Sequence, residues 1–448
     1  MENRLDPTPH LERFESYENA CREFRWQIPE RFNIASAICQ RHDDAVTRIA
    51  VSDVRLGGIN TYTFGGLDFL SDKFARTLSQ SGISQGDSVA VGIRPSAALA
   101  IAHLGVLKLG AIVVPFSISW NEKRLQHAID DSRALAVVFD ESDSGVGRAM
   151  ARRAPNLRSQ FVVRNLRPEN ASSEFKDFWT EIDRSSSDFL PVEGDARAAA
   201  FIFYVESQGE IIGIVHSHRS AIGQLASFEV FNDDGLNTEK VFWVAGDWCS
   251  PGALLGVIYP AWWYGCSVVA GRADDGGGVL RLMEQCDATN VFIPAVPINA
   301  FAEWETNNQI STGLKVRTVV SESRERSQYY VNSDPSITLN EVYGRPETGW
   351  IYGKCERMFP TTSGSVGRPI PGRTIEIVDE TGKSLAPGQT GNIAVHNSDP
   401  GLFLRYQRET AFTAASFVGD WFLTGDVGYK SGDGELYTSP SPSVVGAG

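Results

Sequence analysis

The segment FYVESQGEIIGIVHSH, residues 203–218, is the most informative part of this sequence. A polar turn with a glycine separates two apolar segments, an outline typical of loops that bind nucleotide phosphates. Such loops need glycines, so that backbone N–H groups can turn towards phosphate, together with hydroxyls and a cation. Here Gly209 and Gly213 are the glycines and Ser207 is a hydroxyl, but no lysine or arginine occurs before Arg219. The segment therefore predicts a phosphate loop that has lost most of its contacts.

The composition is that of an acidic globular protein. Its 448 residues include 55 Asp and Glu against 41 Lys and Arg, which gives a net charge of −14 and a pI near 5.1. That charge argues against nucleic acid or an anionic membrane surface as a partner. The six cysteines show neither a CxxC pair nor zinc spacing, and the polar N-terminus is unlike a signal peptide. We therefore expect a cytoplasmic protein with reduced cysteines and no membrane contact.

The chain alternates helical and strand patterns from Tyr62 onwards, which indicates an α/β fold. We predict two α/β lobes with largely parallel sheets, followed by a small β-barrel-like subdomain. The expected units are a first lobe with an N-terminal arm (1–185), a second lobe with the phosphate-loop remnant (186–360), the β subdomain (361–437) and a truncated hinge or tail (438–448). Glycine and proline between short alternating strands distinguish the subdomain.

Five segments of the chain resemble, in order, one family of enzymes. They are FRWQIPERFNIASAICQRH (24–42), HLGVLKLGAIVVPF (103–116), VYGRPETG (342–349), GSVGRPIPG (364–372) and WFLTGDVGYKSGDGELY (421–437). Together they resemble the AMP-forming acyl-CoA synthetases, the adenylate-forming enzymes that include acetyl- and medium-chain acyl-CoA synthetases. The resemblance covers almost the whole chain and implies the fold of that family's large N-terminal domain.

The resemblance also implies a chemistry. Members activate a carboxylic acid with ATP to give an acyl-adenylate and pyrophosphate, and then usually transfer the acyl group to coenzyme A. The reaction needs a phosphate loop, Mg²⁺ to neutralise the triphosphate, and groups that hold ribose and adenine. ATP or AMP, Mg²⁺ and coenzyme A are therefore the implied cofactors. The implied ligand is a small or medium carboxylic acid or its acyl-adenylate.

The phosphate loop is where this sequence departs from the family. The family's loop reads Thr-Ser-Gly-Thr-Thr-Gly, any residue, Pro-Lys-Gly, whereas this chain reads YVESQGEIIG. Ser207, Gly209 and Gly213 remain as nucleotide-binding positions, but Glu206 replaces a glycine and Ile212 replaces the lysine. A carboxylate about 4 Å from a phosphate charge costs roughly 1 kcal/mol in bulk water and about 4 kcal/mol at an effective dielectric of 20. We therefore expect poor binding of ATP.

Other positions that the family uses are retained. By resemblance, Tyr343 and Gly344 line the adenine and acyl pocket, and Glu347 is the Mg²⁺ ligand. Asp426 matches the aspartate that accepts hydrogen bonds from both ribose hydroxyls. These residues imply that part of the nucleotide site persists although the loop has changed.

The substrate pocket is assigned to His216, Trp248 and Tyr343. Trp248 stands in GDWCSPGALLG, which resembles the family's acyl-pocket segment, and His216 follows the loop. The alternative for His216 is a positioning or packing role, and for Trp248 it is core packing. No catalytic residue is assigned. Arg219 or Arg345 could restore a cation if either folded over the loop.

The end of the chain also departs from the family. After GELY the family continues into a small C-terminal domain that carries the lysine used in adenylation, whereas residues 438–448 here read TSPSPSVVGAG. The expectation is that this domain is absent from the sequence and that a protein partner could supply it.

Three functions remain open on this evidence. The first is an acyl-CoA ligase, an acid–thiol ligase, that is weak or inactive in adenylation on its own. The second is a non-catalytic protein that binds AMP or an acyl-adenylate, or that acts as a scaffold for an active relative. The third is an enzyme that transfers an acyl group from a pre-activated donor. We favour the first, a degenerate ligase and pseudoenzyme candidate, and leave open whether the protein is an enzyme.

Overall fold

The computed structural model describes residues 6–55, 58–141, 156–164, 175–207, 209–232, 238–271, 276–294, 315–322, 336–355 and 357–438. Its strands, numbered along the chain, are β1 (Ile49–Arg55), β2 (Gly58–Thr63), β3 (Ser88–Gly92), β4 (Ile112–Pro115), β5 (Ala136–Asp140), β6 (Ser159–Val163), β7 (Lys176–Asp177), β8 (Ala199–Ser207), β9 (Glu210–Ser217), β10 (Val241–Val244), β11 (Ser267–Ala270), β12 (Asn290–Ile293), β13 (Thr318–Ser321), β14 (Thr338–Arg345), β15 (Gly349–Lys354), β16 (Arg368–Pro369), β17 (Ile375–Val378), β18 (Gly391–His396), β19 (Arg405–Tyr406), β20 (Phe417–Val418), β21 (Trp421–Lys430) and β22 (Leu436–Thr438).

The helices are numbered in the same way. They are α1 (Tyr17–Glu23), α2 (Ile34–Gln40), α3 (Phe64–Gln80), α4 (Ala97–Lys108), α5 (Glu122–Ser132), α6 (Phe178–Arg184), α7 (His218–Ile222), α8 (Leu225–Phe231), α9 (Tyr259–Trp263), α10 (Gly276–Gln285) and α11 (Thr410–Ala415). A 3₁₀ turn covers Leu11–Arg13 and a π-helix covers Gly252–Ile258.

An eight-stranded sheet has the strand order β19-β9-β8-β4-β3-β5-β6-β7. The strands from β8 to β7 run parallel to one another, and β9 and β19 are added antiparallel at one edge. Strands β3, β4 and β5 are largely apolar and buried along their whole length. This pattern is typical of parallel strands whose two faces are both covered.

A second, nine-stranded sheet has the order β16-β15-β14-β13-β12-β10-β11-β1-β2. The strands from β14 to β1 are parallel, and the edge strands β15, β16 and β2 are antiparallel. The third sheet is antiparallel throughout and contains β17, β18, β21, β20 and β22. The predicted fold class, two largely parallel α/β sheets with a small β subdomain, is confirmed. Within the described ranges, no helix combines the length and apolarity needed to cross a bilayer.

The two large sheets do not divide at residue 185, where we expected the boundary between lobes. Strands β1 and β2 belong to the nine-stranded sheet, through the parallel pairing of Val51 with Val268, and β8 and β9 belong to the eight-stranded sheet, through Val113 and Phe201. Hydrophobic periodicity reports local structure and burial, but it does not identify the partner of a strand. Residues 439–448 of the expected tail lie outside the described residues.

Glu229 of α8 fastens the N-terminal arm to the body of the protein. Its carboxylate accepts hydrogen bonds from the N–H groups of His10 at 3.0 Å and Leu11 at 2.6 Å, and from the hydroxyl of Tyr264. The side chain is 7% exposed. Burial raises the pKa of Glu229 from its ordinary value of 4.5 to about 7, although these hydrogen bonds act to lower it. Attachment of the arm therefore depends on a carboxyl group that titrates near neutral pH.

Glu229→Gln is expected to flatten the pH dependence of stability. Because the folded-state pKa is raised, the stability that Glu229 contributes is fully present below about pH 4.5 and is lost as the pH rises to about 7. Glutamine has nearly the same shape and stays neutral. The two proteins should therefore unfold alike near pH 4.5, and above pH 7 the variant should be more stable by about 1–3 kcal/mol. Urea denaturation across this pH range measures the difference, and parallel curves would contradict the assignment.

Candidate functional site

The segment predicted to be a phosphate loop forms a closed β-hairpin. Strands β8 and β9 are paired from Phe201–His216 to Ser207–Glu210, so the connection between them spans two residues. Gly209 has φ 83°, in the left-handed region that a tight hairpin turn requires and that glycine adopts without steric cost. Alternate N–H groups of each strand point across the ladder to the partner strand. Those N–H groups are therefore not available to a phosphate.

The outer edge of β9 is occupied as well. Strand β19 pairs with it, and the N–H groups of Leu404 and Gln407 donate to the carbonyls of Val215 and Gly213, each at 2.7 Å. A Cβ at Gly213 would lie 2.8 Å from the Cβ of Gln407 and 2.9 Å from the ring of Tyr204, so this glycine allows close packing. Strand β9 is therefore paired on both edges.

The two faces of the hairpin carry different side chains. Side chains alternate along a strand, so Ile212 and His216 share one face, and Ile212 packs there against the hydrophobic cluster that contains Tyr406. Glu206 pairs with Ile211, the residue before Ile212, and therefore lies on the other face of the hairpin. Its side chain is exposed there, with Arg124 as a charged neighbour. The carboxylate of Glu206 is thus directed away from the face on which a loop lysine would lie. The missing lysine is the more important change.

His216 links the hairpin to the turn between β14 and β15. The residue is 1% exposed, and its Nε2 donates to the carbonyl of Pro346 at 2.7 Å. Burial lowers the pKa of His216 to about 4, so the ring is neutral at neutral pH and Nδ1 is the unprotonated nitrogen. Among the described residues Nδ1 has no hydrogen-bond partner. These contacts place His216 where it positions the turn.

The turn itself is fixed by Thr348 and Gly344. The N–H of Thr348 donates to the carbonyl of Arg345 at 3.0 Å, and its hydroxyl accepts from the N–H of Arg345 at 3.1 Å. The register of β14 and β15 shifts at Gly344, where a Cβ would lie 1.9 Å from the carbonyl oxygen of Gly349. Only glycine permits this approach. The turn therefore presents the Arg345 side chain from a well-defined backbone.

Asp426 contacts two side chains from β14. The hydroxyl of Tyr343 donates to Oδ2 of Asp426 at 2.6 Å, and Nη1 of Arg345 lies 3.8 Å from Oδ1. Burial, followed by the charge of Asp426, raises the pKa of Tyr343, so the phenol stays protonated and donates. Both carboxylate oxygens of Asp426 therefore have protein neighbours in this structure.

Glu347 is held by residues that follow it in the chain. The hydroxyl of Tyr406 donates to its Oε1 at 2.9 Å, and the N–H of Phe403 donates to its carbonyl at 2.7 Å. Burial raises the pKa of the Glu347 carboxyl, whereas the charge of Arg345 and the hydrogen bond from Tyr406 act to lower it. The carboxyl is thus a partly satisfied group between a cation and a phenol.

These residues fit Mg²⁺ and a triphosphate poorly. In nucleotide sites, Mg²⁺ is held by one or two carboxylates together with waters and the phosphates of the substrate. In the ranges that the structure describes, no three His, Cys, Asp or Glu side chains are grouped so that they could hold a metal ion, so Mg²⁺ would depend on Glu347 and the phosphates. The guanidinium of Arg345 lies beside Asp426 and close enough to Glu347 to oppose the rise that burial causes in its pKa, so a second cation there would be repelled. The closed hairpin, in turn, offers a triphosphate few backbone donors.

Trp248 lies in the main hydrophobic core, in a different cluster from the one that Tyr343 packs against. It is 2% exposed, and its ring centroid lies 6.2 Å from that of Trp262. Trp350 lies in the same core cluster and donates its Nε1 to Oε1 of Glu322 at 3.0 Å. Trp248 is therefore not brought together with Tyr343.

Five side chains form one group that we call the Asp426 cluster. Its members are Tyr343, Arg345, Glu347, Tyr406 and Asp426. Three of them were predicted from the sequence and Arg345 only as a possible compensating charge, whereas Tyr406 was missed. The structural signal for Tyr406 is the pairing of β19 with β9, which no local pattern indicates. Arg219 lies elsewhere, with Arg197, Asp399 and Asp195 as its charged neighbours.

The fold and these motifs define an adenylate-forming type of protein, and the chain belongs to the AMP-binding enzyme family, which it matches over residues 39–406. It is similar to the mitochondrial acyl-coenzyme A synthetase ACSM3 of Mus musculus, with 24% identity over 454 residues that cover 95% of this chain and 75% of the relative. It is also similar to the acetyl-coenzyme A synthetase of Bacillus subtilis (strain 168), with 23% identity over 446 residues, 94% of this chain and 76% of the relative. The predicted resemblance is confirmed.

Solved structures show the same fold. The acyl-CoA synthetase of Brucella canis aligns with a TM-score of 0.82 and 20% identity over 95% of this chain and 80% of its own. The anthranilate CoA ligase AuaEII in complex with anthranoyl-AMP aligns with a TM-score of 0.79 and 18% identity over 92% of this chain and 77% of its own.

Proposed function

We propose that the protein binds an adenylate at the Asp426 cluster and is weak or inactive in ATP-dependent adenylation on its own. The ligand is AMP or the acyl-AMP of a small or medium carboxylic acid, and coenzyme A as an acyl acceptor follows only from the family. The observation that carries this proposal is the closed β8–β9 hairpin, whose pairing continues to Ser207 and Glu210. The protein is thus a degenerate acyl-CoA synthetase-like member of the family.

The closed hairpin weakens binding of the two outer phosphates, which ATP has and AMP lacks. A phosphate loop holds the outer phosphates of ATP, whereas Asp426 and Tyr343 stand at positions that serve ribose and adenine in the family. Loss of the lysine at position 212 and of free backbone donors removes two contributions of about 1–4 kcal/mol each. These contributions would have favoured ATP, so their loss favours ligands with a single phosphate.

A second candidate is acyl transfer from a pre-activated donor. The closed hairpin and the retained Asp426 support it together, because an acyl-adenylate made elsewhere needs ribose contacts but no triphosphate contacts. A partner protein that carries the family's C-terminal domain would act on the same ligand. If the protein binds no nucleotide, the remaining possibility is that it acts as a scaffold for an active relative.

Calorimetric titration should detect binding of AMP and of a non-hydrolysable acyl-adenylate analogue, with ATP–Mg²⁺ at least about tenfold weaker. Asp426→Asn should weaken AMP binding by about 10- to 100-fold, because hydrogen bonds to a charged group are worth about 1.5–3 kcal/mol. Asp420→Asn, which changes an exposed carboxylate on the same subdomain, serves as the matched control and should leave the affinity unchanged.

ATP–Mg²⁺ binding as tight as that of AMP would overturn the proposal, and a pyrophosphate-release screen over small acids would then identify the substrate. Binding of none of the three ligands would also overturn it and leave the scaffold role. Equal losses in the two aspartate variants would remove Asp426 from the site.

A further inference from the structure

We infer that Arg345 binds the phosphate of the adenylate and takes over the role of the cation that the hairpin lacks. The inference rests on the proposed function and adds the residue that recognises the anion. Three observations carry it: the unused donors of Arg345, its neighbours, and the distribution of positive charge around the hairpin.

Among the described residues, the guanidinium of Arg345 has N–H donors without a protein acceptor. Arginine carries five N–H donors in a planar fork. In the part of the chain that the structure describes, Nε is buried without an acceptor, and the one ion pair of this side chain joins Nη1 to Oδ1 of Asp426 at 3.8 Å, which is too long for a hydrogen bond. Arg373 differs in its two Nη groups: its Nε also lacks an acceptor, but Nη1 donates to Asp399 and Nη2 to the carbonyl of Trp350. Arg345 is therefore poised for an additional acceptor.

The neighbours of Arg345 define what that acceptor is. Asp426 lies on one side. Burial raises the pKa values of Glu347, Tyr343 and Tyr406, and the charge of Arg345 opposes that rise in each, which places all three close to the guanidinium. The side chain is 21% exposed, so a ligand can reach it from solvent. An adenylate whose ribose hydroxyls meet Asp426 would carry its phosphate within reach of Arg345. The non-bridging oxygens of a phosphate match the guanidinium fork in a bidentate manner.

Positive charge is scarce on the strands that carry this site. The sequences of β8, β9 and β14 contain a single lysine or arginine, which is Arg345, and Arg405 of the neighbouring β19 is exposed. The turn that carries it is fixed by Thr348 on one side and by the hydrogen bond from His216 to Pro346 on the other. Since the backbone of the turn is held in this way, little order would have to be created when an anion binds.

The test compares AMP with adenosine in calorimetric titrations of the full chain. Arg345→Gln should weaken AMP binding by about 10- to 100-fold and change adenosine binding by less than about twofold, because only AMP carries the phosphate. Arg345→Lys keeps the charge but loses the fork, and it should fall between wild type and Arg345→Gln. Arg405→Gln, at an exposed arginine of β19, is the matched control and should behave as wild type. Thermal unfolding of each variant checks that the fold is retained.

The outcomes separate the inference from the proposed function. If wild type binds AMP but Arg345→Gln binds it equally well, the inference is wrong and the proposed function stands. If AMP and adenosine weaken equally, Arg345 has a structural role and the inference is again wrong. If wild type binds neither AMP nor an acyl-adenylate analogue, the inference and the proposed function are both wrong. A loss confined to AMP, with Arg405→Gln unchanged, establishes the phosphate contact.

Discussion

Restoring a phosphate loop to the β8–β9 hairpin should raise the affinity for ATP–Mg²⁺ by about 100-fold. The loop variant combines Val205→Ser, Glu206→Gly, Ser207→Thr, Gln208→Thr, Ile211→Pro and Ile212→Lys. It reproduces the family's loop but keeps Tyr204, which is buried and donates its hydroxyl to Oδ2 of Asp131 at 2.8 Å.

The gain has two physical sources. Proline at position 211 cannot donate to the ladder, and glycine at position 206, opposite it, frees the backbone to turn its N–H groups towards a ligand. The lysine introduced at position 212 adds a cation on the face of β9 that carries His216. Each source is worth about 1–4 kcal/mol for a phosphate, depending on solvent access. Their sum is what distinguishes an ATP site from the site described above.

A control variant that retains Ile212 and carries the other substitutions separates the two sources. We expect it to gain about tenfold, and the full variant about tenfold more, by calorimetric titration with ATP–Mg²⁺. A fully folded loop variant that binds ATP–Mg²⁺ no better than wild type would show that the hairpin is not the cause of weak ATP binding.

Arg373→Met should lower the free energy of unfolding by about 3–5 kcal/mol, because it leaves a buried carboxylate unpaired. The side chains of Arg373 and Asp399 are both fully buried and form an ion pair, and Arg373 also donates to the carbonyl of Trp350 at 3.1 Å. Burial raises the pKa of Asp399 and the charge of Arg373 lowers it. Urea denaturation of wild type and variant measures the loss. The segment that Asp399 anchors leads to Phe403, so binding of AMP should weaken as well.

The double variant Arg373→Met with Asp399→Asn is the control for this prediction. It removes both charges but keeps an oxygen that can accept from the N–H of Gly401, which Asp399 does at 2.8 Å. We expect it to recover at least about half of the loss, because a buried ion pair contributes much less than the cost of breaking it. If the double variant is less stable than Arg373→Met, the unpaired charge is not what destabilises the single variant.

The fold class could be predicted because this sequence carries it locally. The continuous apolar runs of β3, β4 and β5 are typical of buried parallel strands, and the glycine and proline spacing after residue 361 is typical of short antiparallel strands. The assignment of strands to sheets could not be predicted. The pairing of Val51 with Val268 depends on how distant segments pack, and neither segment contains a local signal for the other.

The candidate site shows the same division. Asp426, Glu347 and Tyr343 could be found because each stands in a motif that resembles the family. The closure of the hairpin depends on cross-strand pairs such as Val205 with Ile212, and the sequence indicated Ile212 only as a replacement for the loop lysine. Likewise, the direction of Glu206 follows from the strand alternation that a loop would not have imposed. The contact of Tyr406 with Glu347 required the three-dimensional position of β19.

The interleaving of the two large sheets constrains the order in which a growing chain can fold. Strands β1 and β2 are synthesised early, but β11, the parallel neighbour of β1, follows only after strands β3 to β9 of the other sheet. Strand β9 in turn has an uncovered outer edge until β19 is synthesised. Until then, an apolar hairpin and an open strand edge are exposed on the nascent polypeptide, which favours association with other chains. Such non-local pairing also slows folding. Production of this protein should therefore benefit from slow translation and from chaperones that shield strand edges until the last third of the chain has emerged.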